Sequence, residues 1–348
     1  MSPIAVLSGI GAALPRGIVT NNMLAARMDT SDEWITSRTG IRERRIVEPG
    51  TATGDLAVEA GREALKSADM TVVDAVILAT TTPDYVCPAT APSVAARLGL
   101  GRIAAYDVSA VCSGFLYGLA TGAGLISAGI ADSVLLIGAE AFSTIVDPAD
   151  RNTAPIFGDG AGAVVLRAGD GSQPGRLLGF ELGSDGDLAD LIIVPAGGAV
   201  QRSSRVDATM ADHYLKMQGR AVFKHAVLRM VESAQAVLAR TGWEAGSIDW
   251  LVGQQANVRI LRAVAEHLGV PFEKTVVNLA TRGNTAAASI PLALADAAQA
   301  GLLSPGDKIL LTAFGGGASW GAAAIEWPSI ANPSFITQGG NCLERRSP

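Results

Sequence analysis

A cysteine at a strand-to-helix turn is a candidate nucleophile, because the positive end of the helix dipole lowers a thiol pKa and the thiolate is the reactive form. Cys112 has that setting. It stands in Tyr106-Asp-Val-Ser-Ala-Val-Cys-Ser-Gly-Phe115, between a strand-like run and a long apolar helical run. The chemistry to expect is covalent catalysis through the sulfur, with neighbouring groups that assist it. Competing sites are weaker. Cysteines 87, 112 and 342 match no metal-site spacing, so no metal is expected. Phe157-Gly-Asp-Gly-Ala-Gly162 lacks the Lys-Ser/Thr of a phosphate loop and precedes a strand, so its glycines read as tight turns near the site.

The elements that must position Cys112 are short β-branched runs alternating with helical patterns. Val72–Ala79, Ile103–Val108, Ser133–Gly138 and Ala163–Leu166 read as strands, and Asp55–Ala68, Ala89–Leu98 and Ser113–Ile130 as helices. Apolar strands separated by helices predict an α/β chain with a mostly parallel sheet covered on both faces. The second half repeats the scheme. Arg220–Arg240, Val258–Leu268 and Ala286–Ala300 read as helices, and Ile248–Val252, Thr275–Leu279 and Lys308–Ala313 as strands. Laid over each other, the halves predict a duplicated α/β unit, with Cys112 and Asn284 on equivalent turns that face one central site. Residues 1–170 form the first half, 171–219 a Gly-, Asp- and Ser-richer link, 220–330 the second half, and 331–348 a polar, disordered tail.

The 348 residues carry a net charge of −6 and are 49% hydrophobic, which supplies a large core and disfavours a nucleic-acid partner. Three cysteines suggest no disulfide framework and a reducing, cytoplasmic setting. No apolar run reaches the ~18 residues that span a bilayer, and Met-Ser-Pro-Ile-Ala-Val does not read as a signal peptide.

Over about residues 3–327 the chain resembles β-ketoacyl-acyl-carrier-protein synthase III, a thiolase-superfamily condensing enzyme. The resemblance rests on Asp29-Thr-Ser-Asp-Glu-Trp-Ile35, Arg38-Thr-Gly-Ile-Arg-Glu-Arg44, Asp107-Val-Ser-Ala-Val-Cys-Ser-Gly-Phe115, Phe157–Gly162, Gln255-Ala-Asn257, Gly283-Asn-Thr285 and Phe314-Gly-Gly-Gly317. It implies the thiolase fold, five layers of α-β-α-β-α, in a homodimer. It implies that Cys112 takes an acyl group from acyl-CoA, with the N–H groups of Cys112 and Gly316 as oxyanion hole. A His and an Asn of the family then stabilise the enolate formed by decarboxylation of malonyl-carrier protein, and Asn284 matches that Asn. No tightly bound cofactor is implied.

The His does not match. Where the family reads Val-Pro-His-Gln-Ala-Asn, this chain reads Val252-Gly-Gln-Gln-Ala-Asn257, which puts Gln254 in the His position. A Gln amide can donate a hydrogen bond to an enolate oxygen but cannot act as a general base. Losing an acid–base group typically costs ~10²–10⁴ in rate, so loading of Cys112 should survive better than decarboxylation. Three readings stay open: a condensing enzyme with Gln as donor; an acyltransferase passing the acyl group to an alcohol, amine or carrier thiol; or an inactive or substrate-trapping homologue. The change at Gly253 favours natural divergence. His213, His225 and His267 read as loop, surface or packing residues rather than a substitute base.

The resemblance also assigns binding residues. Trp34 and Arg38, with Arg151 opposite, match the groups that sandwich the CoA adenine, and Thr30 and Asn257 match pantetheine or nucleotide contacts. Lys224, Arg259 and Arg262 match groups that dock an acidic acyl carrier protein. Cys87, in Tyr85-Val-Cys-Pro88, aligns with the residue that closes the acyl pocket across the dimer, where a small side chain predicts a primer larger than acetyl. Phe314 is expected beside the acyl pocket, and Cys342 has no expected role.

Overall fold

The computed structural model describes residues 3–330 and 335–337. The first part of the chain contains β1 (Ile4–Leu14), β2 (Gly17–Thr20), α1 (Asn21–Ala25), α2 (Asp32–Thr39), β3 (Glu43–Ile46), α3 (Thr53–Ser67), β4 (Ala75–Ala79), α4 (Ala91–Arg97), β5 (Ala104–Val108), α5 (Gly114–Ser127), β6 (Ser133–Glu140) and β7 (Gly160–Gly169). The rest contains β8 (Leu177–Ser184), β9 (Ile192–Ile193), α6 (Ala199–Ser204), β10 (Lys216–Met217), α7 (Gly219–Thr241), β11 (Trp250–Gly253), α8 (Val258–Leu268), α9 (Leu279–Arg282), α10 (Ser289–Gln299), β12 (Lys308–Gly315), β13 (Ser319–Glu326) and β14 (Phe335–Thr337).

Two sheets carry the fold, ordered β14-β1-β7-β6-β4-β5 and β11-β12-β13-β8. Strand alternation decides which helices each face covers. In β4 and β6, Val76, Leu78, Leu135 and Ile137 pack with Leu56 and Ala60 of α3 and Val94 of α4. Their neighbours Ile77, Val134 and Leu136 point the other way, against Phe115 and Leu119 of α5 and Leu292 of α10. Ile309 and Leu311 of β12 meet that same central helix layer, whereas Leu310 turns outward to Met230 and Val237 of α7 and Val264 of α8. The result is the five-layer α-β-α-β-α arrangement expected. Each fully buried Leu, Ile or Phe in these layers contributes about 1.5–3 kcal/mol. Helix α5 lies close on its sheet because Gly118 has no Cβ; one there would stand 2.4 Å from Leu136 Cδ1.

The sheet connections repeat. β4 pairs in parallel with β5 and β6, β6 antiparallel with β7, and β7 antiparallel with β1. β11 pairs in parallel with β12, β12 antiparallel with β13, and β13 antiparallel with β8. β8 is therefore the first strand of the second unit, although it lies in the stretch 171–219 read as a link. Its Leu177 is buried, but the mixed composition of the stretch hid the strand. The strand expected at 275–279 is reduced to a single parallel bridge, Leu251 with Thr275, at the position β5 holds in the first unit. There Asn278 ends the extended run and α9 begins. β14 falls inside the expected tail and pairs with β1; residues 331–334 and 338–348, Cys342 among them, lie outside the described residues.

Candidate active site

The two turns named from the sequence meet at the middle of the molecule. Each begins with a single 3₁₀ turn, Val111–Ser113 before α5 and Ala286–Ala288 before α10. Each opens on a residue in the left-handed region, Val111 at φ +47° and Ala286 at +44°, a strained geometry for a non-glycine residue. One spacing relates turn, helix and following strand: 286 less 111, 289 less 114 and 308 less 133 are each 175. In that register the partner of Cys112 is Ala287, not Asn284. Asn284 stands three residues earlier, on the approach to its turn.

Cys112, Gln254, Asn284 and Phe314, all buried, line one cavity of about 140 Å³ together with Phe142 and Phe157. The two phenylalanine rings stack 4.4 Å apart in its wall. Gln254 is fixed at the end of β11 by its backbone N–H, which donates to Thr312 O at 2.9 Å. Its side-chain Nε2 donates to Asn284 Oδ1 at 3.2 Å, and the Ala286 N–H donates to the same oxygen at 3.0 Å. Asn284 is held from below, since its N–H donates to Ile156 O and Gly158 donates to its carbonyl. The Asn284 Nδ2 group is thereby turned toward donation, and no partner for it occurs among the described residues.

The loop after β12 is tied onto the Cys112 turn. Ser319 Oγ lies 2.7 Å from Ser113 Oγ and donates to Ala110 O and Gly316 O. Gly316 is buried beside Val111, and a Cβ on Gly315 would stand 2.8 Å from the Cys112 nitrogen. Gly316 therefore lies beside the turn that carries Cys112.

The thiol itself departs from expectation. Burial pushes its pKa up, and the Glu140 carboxylate adds to the rise. Desolvation outweighs the helix end, because the sulfur sits in an apolar cavity that the sequence could not reveal.

A second opening of about 420 Å³ continues outward from the cavity, sharing Ile156, Gly219, Phe223 and Asn257 with it. Trp34 of α2 stands at this mouth with Arg38 4.5 Å and Arg151 4.7 Å from its ring centroid. Arg151 also pairs with Asp29 at 3.0 Å. Asn257 caps α8 through Arg259 N–H and donates to Arg38 O at 3.0 Å, which joins α8 to α2. Thr30 does not line the mouth; its Oγ1 is buried without a partner just before α2. Arg259 lines the mouth, and Arg262 and Lys224 are exposed on α8 and α7. Cys87 is exposed and does not line the cavity of its own chain.

Sequence reasoning missed two charged residues. Arg44 is fully buried and donates to Val19 O, Asn21 Oδ1 and Pro155 O, tying β3 to the rim of the mouth. It is held within a motif already singled out, but only burial reveals its role. Glu140, fully buried at the end of β6, had no signal at all in its sequence neighbourhood. No cluster of His, Cys, Asp and Glu able to hold a metal ion occurs among the described residues, and none of their helices is long and apolar enough to cross a membrane.

The chain is similar to known proteins over almost its whole length. Residues 106–186 match the family described as 3-oxoacyl-[acyl-carrier-protein (ACP)] synthase III, and residues 238–327 match its C-terminal part. Beta-ketoacyl-[acyl-carrier-protein] synthase III 5 of Streptomyces coelicolor is 58% identical over 330 residues, 95% of this chain and 99% of that protein. The crystal structure of 3-oxoacyl-(acyl carrier protein) synthase III from Pseudomonas aeruginosa PAO1 superposes with a TM-score of 0.89 at 52% identity, covering 94% of this chain and 99% of that one. The priming β-ketosynthase of the R1128 polyketide pathway superposes with a TM-score of 0.88 at 31% identity, covering 96% and 98%.

Proposed function

The chain belongs to the 3-oxoacyl-[acyl-carrier-protein] synthase III family, and from that premise we propose that it primes fatty-acid or polyketide synthesis by decarboxylative condensation. Cys112 Sγ attacks the thioester carbonyl carbon of acyl-CoA, and its proton passes to the sulfur of the departing CoA. The carbonyl oxygen becomes an oxyanion held by the N–H groups of Cys112 and Gly316. The C–S bond to CoA then breaks, CoA leaves as a thiol, and the acyl group remains on Cys112. A malonyl group on a carrier protein next loses carbon dioxide, and the electron pair of the broken C–C bond becomes an enolate. Its oxygen accepts hydrogen bonds from Asn284 Nδ2 and Gln254 Nε2. The enolate carbon attacks the carbonyl carbon of the acyl-cysteine, a C–C bond forms, and the C–S bond breaks to release Cys112 as a thiolate that regains a proton from water.

The observation that carries this reading is the amide pair, Gln254 Nε2 to Asn284 Oδ1 at 3.2 Å, in one cavity with Cys112. Neither amide can accept a proton from an attacking alcohol or amine, which acyl transfer to such groups requires. Decarboxylation creates its carbon nucleophile by losing carbon dioxide and needs donors, not a base. Gly253 fits the same reading of a coherent site: Leu261 Cδ2 occupies the space a Cβ would take there, at 2.5 Å.

Substrate handling follows from the two openings. The CoA adenine inserts between Trp34 and Arg151, with Arg151 released from the indole, and pantetheine runs past Asn257 toward Cys112. Lys224, Arg259 and Arg262 dock an acidic carrier at the mouth. The chain works as a homodimer through the edge strand β5 and the exposed Tyr85-Val86-Cys87 loop, where the small Cys87 leaves room for a primer longer than acetyl in the partner's pocket. Such substrates place it in the cytoplasm, and no resident cofactor enters the scheme.

The test pairs two readouts on the native protein. Mass spectrometry after incubation with an acyl-CoA panel should show one acyl adduct, on Cys112. Carbon dioxide should then be released from malonyl-carrier protein. Loading without carbon dioxide release would replace condensation by transfer, and no loading from any acyl-CoA would make the chain inactive.

A further inference from the structure

Beside the Cys112 cavity lies a further chamber of about 250 Å³ that the reaction scheme does not use, and Phe157 lines both spaces. The chamber is built on one face of the β2–β3 hairpin. Val19 pairs there with Arg44, and Ile46 follows two residues on, so the three side chains share that face. Leu24 of α1 and Val146 complete the apolar wall, and the exposed Arg27 and Pro148 stand at the rim. The charged side chains that line it are both arginines. Arg44 is fully buried, and its acceptors Val19 O, Asn21 Oδ1 and Pro155 O are all neutral, while its Nε has no partner. Burial lowers its pKa to about 10, so it stays charged at neutral pH. Among the described residues no carboxylate forms an ion pair with Arg27 or Arg44. Glu43 alternates to the other face of β3, and the Asp159 carboxylate already accepts from Val47 N–H, Ser143 N–H and Ser143 Oγ. A buried cation without a counter-charge is costly to desolvate, and an anion beside it offsets that cost.

We propose that this chamber binds an aliphatic carboxylate, with its head group between Arg27 and Arg44 and its tail against Leu24, Val146 and Phe157. A guanidinium presents its N–H groups in a planar fork that matches the two oxygens of a carboxylate. Inorganic phosphate would meet the charge but leave the apolar wall uncovered. An alcohol of the same length would cover the wall without meeting the charge. The two features together select a molecule that carries both. The chamber shares no residue with the opening at Trp34, and it shares only Phe157 with the Cys112 cavity. Through that ring, which stacks 4.4 Å from Phe142, a bound tail touches the wall of the catalytic cavity without entering it. The inference goes beyond the condensing reaction and does not rest on Cys112 as the acyl acceptor.

The experiment is calorimetric titration of hexanoate into the full chain after Cys112 has been alkylated with iodoacetamide, so that the catalytic cavity is blocked. One hexanoate should bind, with affinity rising about fourfold for each methylene added from butanoate. Acetate, inorganic phosphate and hexanol should each bind about tenfold more weakly or less. Arg27→Gln, on the exposed rim, should weaken hexanoate about three- to tenfold and leave hexanol unchanged. Ala154→Phe, which fills the chamber, should weaken both. Absence of saturable binding, binding only when Cys112 is unmodified, phosphate binding as tight as hexanoate, or equal hexanoate affinity in both variants and the native chain would each overturn the proposal. Loading by acyl-CoA is measured on the unmodified chain; its failure would defeat the reading of Cys112 and leave this one standing.

Discussion

The turn at Cys112 and the turn at Ala287 are each a single 3₁₀ turn that opens on a left-handed residue and lies in one register with a strand end, yet only the first faces a cavity. At the first, a thiol faces a cavity and the adjoining strand ends in Gly315. At the second, a methyl is buried and the adjoining strand ends in Glu140. Duplication supplied two equal frames, and a few side chains gave them different chemistry. The lesson is that the reactive half is defined as much by what its neighbour omits as by the nucleophile it carries.

The strongest way to break that comparison is Cys112→Ala, which removes the nucleophile. Acyl adducts should vanish and condensation should fall by on the order of 10³-fold or more. Next is Gly315→Ala, which makes the first strand end resemble the second. Its methyl would crowd the Cys112 nitrogen, and acyl loading should drop by about 10²–10³-fold, as when an oxyanion-hole donor is lost, while iodoacetamide still reaches the sulfur. Normal loading in this variant would mean that the pocket at Cys112 does not hold the oxygen.

Gln254→Leu sharpens the division of labour. Carbon dioxide release should fall about 10²-fold with loading changed by only a few-fold, measured as separate half-reactions; equal losses in both would place Gln254 in loading instead. A smaller effect comes from Ala287→Cys, which puts a thiol on the second turn. Mass spectrometry should find no acyl group at 287, since that position is buried and does not line the cavity of Cys112.

The mildest prediction concerns stability. Burial raises Glu140 to about 7 and Asp159 to about 6, both above their unfolded values. The folded state therefore binds their protons more tightly. Their contribution is present below about pH 4 and is lost as the pH rises through 6 and 7. Thermal melting should show stability declining over that window, and Glu140→Gln should flatten the upper part of the decline.

Much of this was legible beforehand, for identifiable reasons. Val258–Leu268 is the same helix in sequence and structure because its apolar period is strong and Asn257 and Gly269 cap its ends. The runs around 75–79 and 133–140 read as strands because they are buried on both faces and apolar on both, whereas 104–108 is a half-buried edge strand read from its apolar ends. β1 and β13 went unread: both are rich in Ala and Gly, which carry little strand propensity, and only sheet neighbours make them strands. β8 was lost in the presumed link for a related reason: its inner residues bury against β13 and α7, which its own composition does not announce.

By itself, the sequence determined the repeated α/β unit and the cysteine at a strand-to-helix turn, because apolar periodicity and residue identity are local properties, while the resemblance to the family implied that Gln254 stands in the position of a His. Only the tertiary structure decided that Cys112 corresponds to Ala287, that Asn284 and Gln254 share a hydrogen bond across 30 residues, and that burial pushes the thiol pKa up. Each of those depends on burial and on which strand end meets which turn, and both are set by the packing of two sheets around one helical layer.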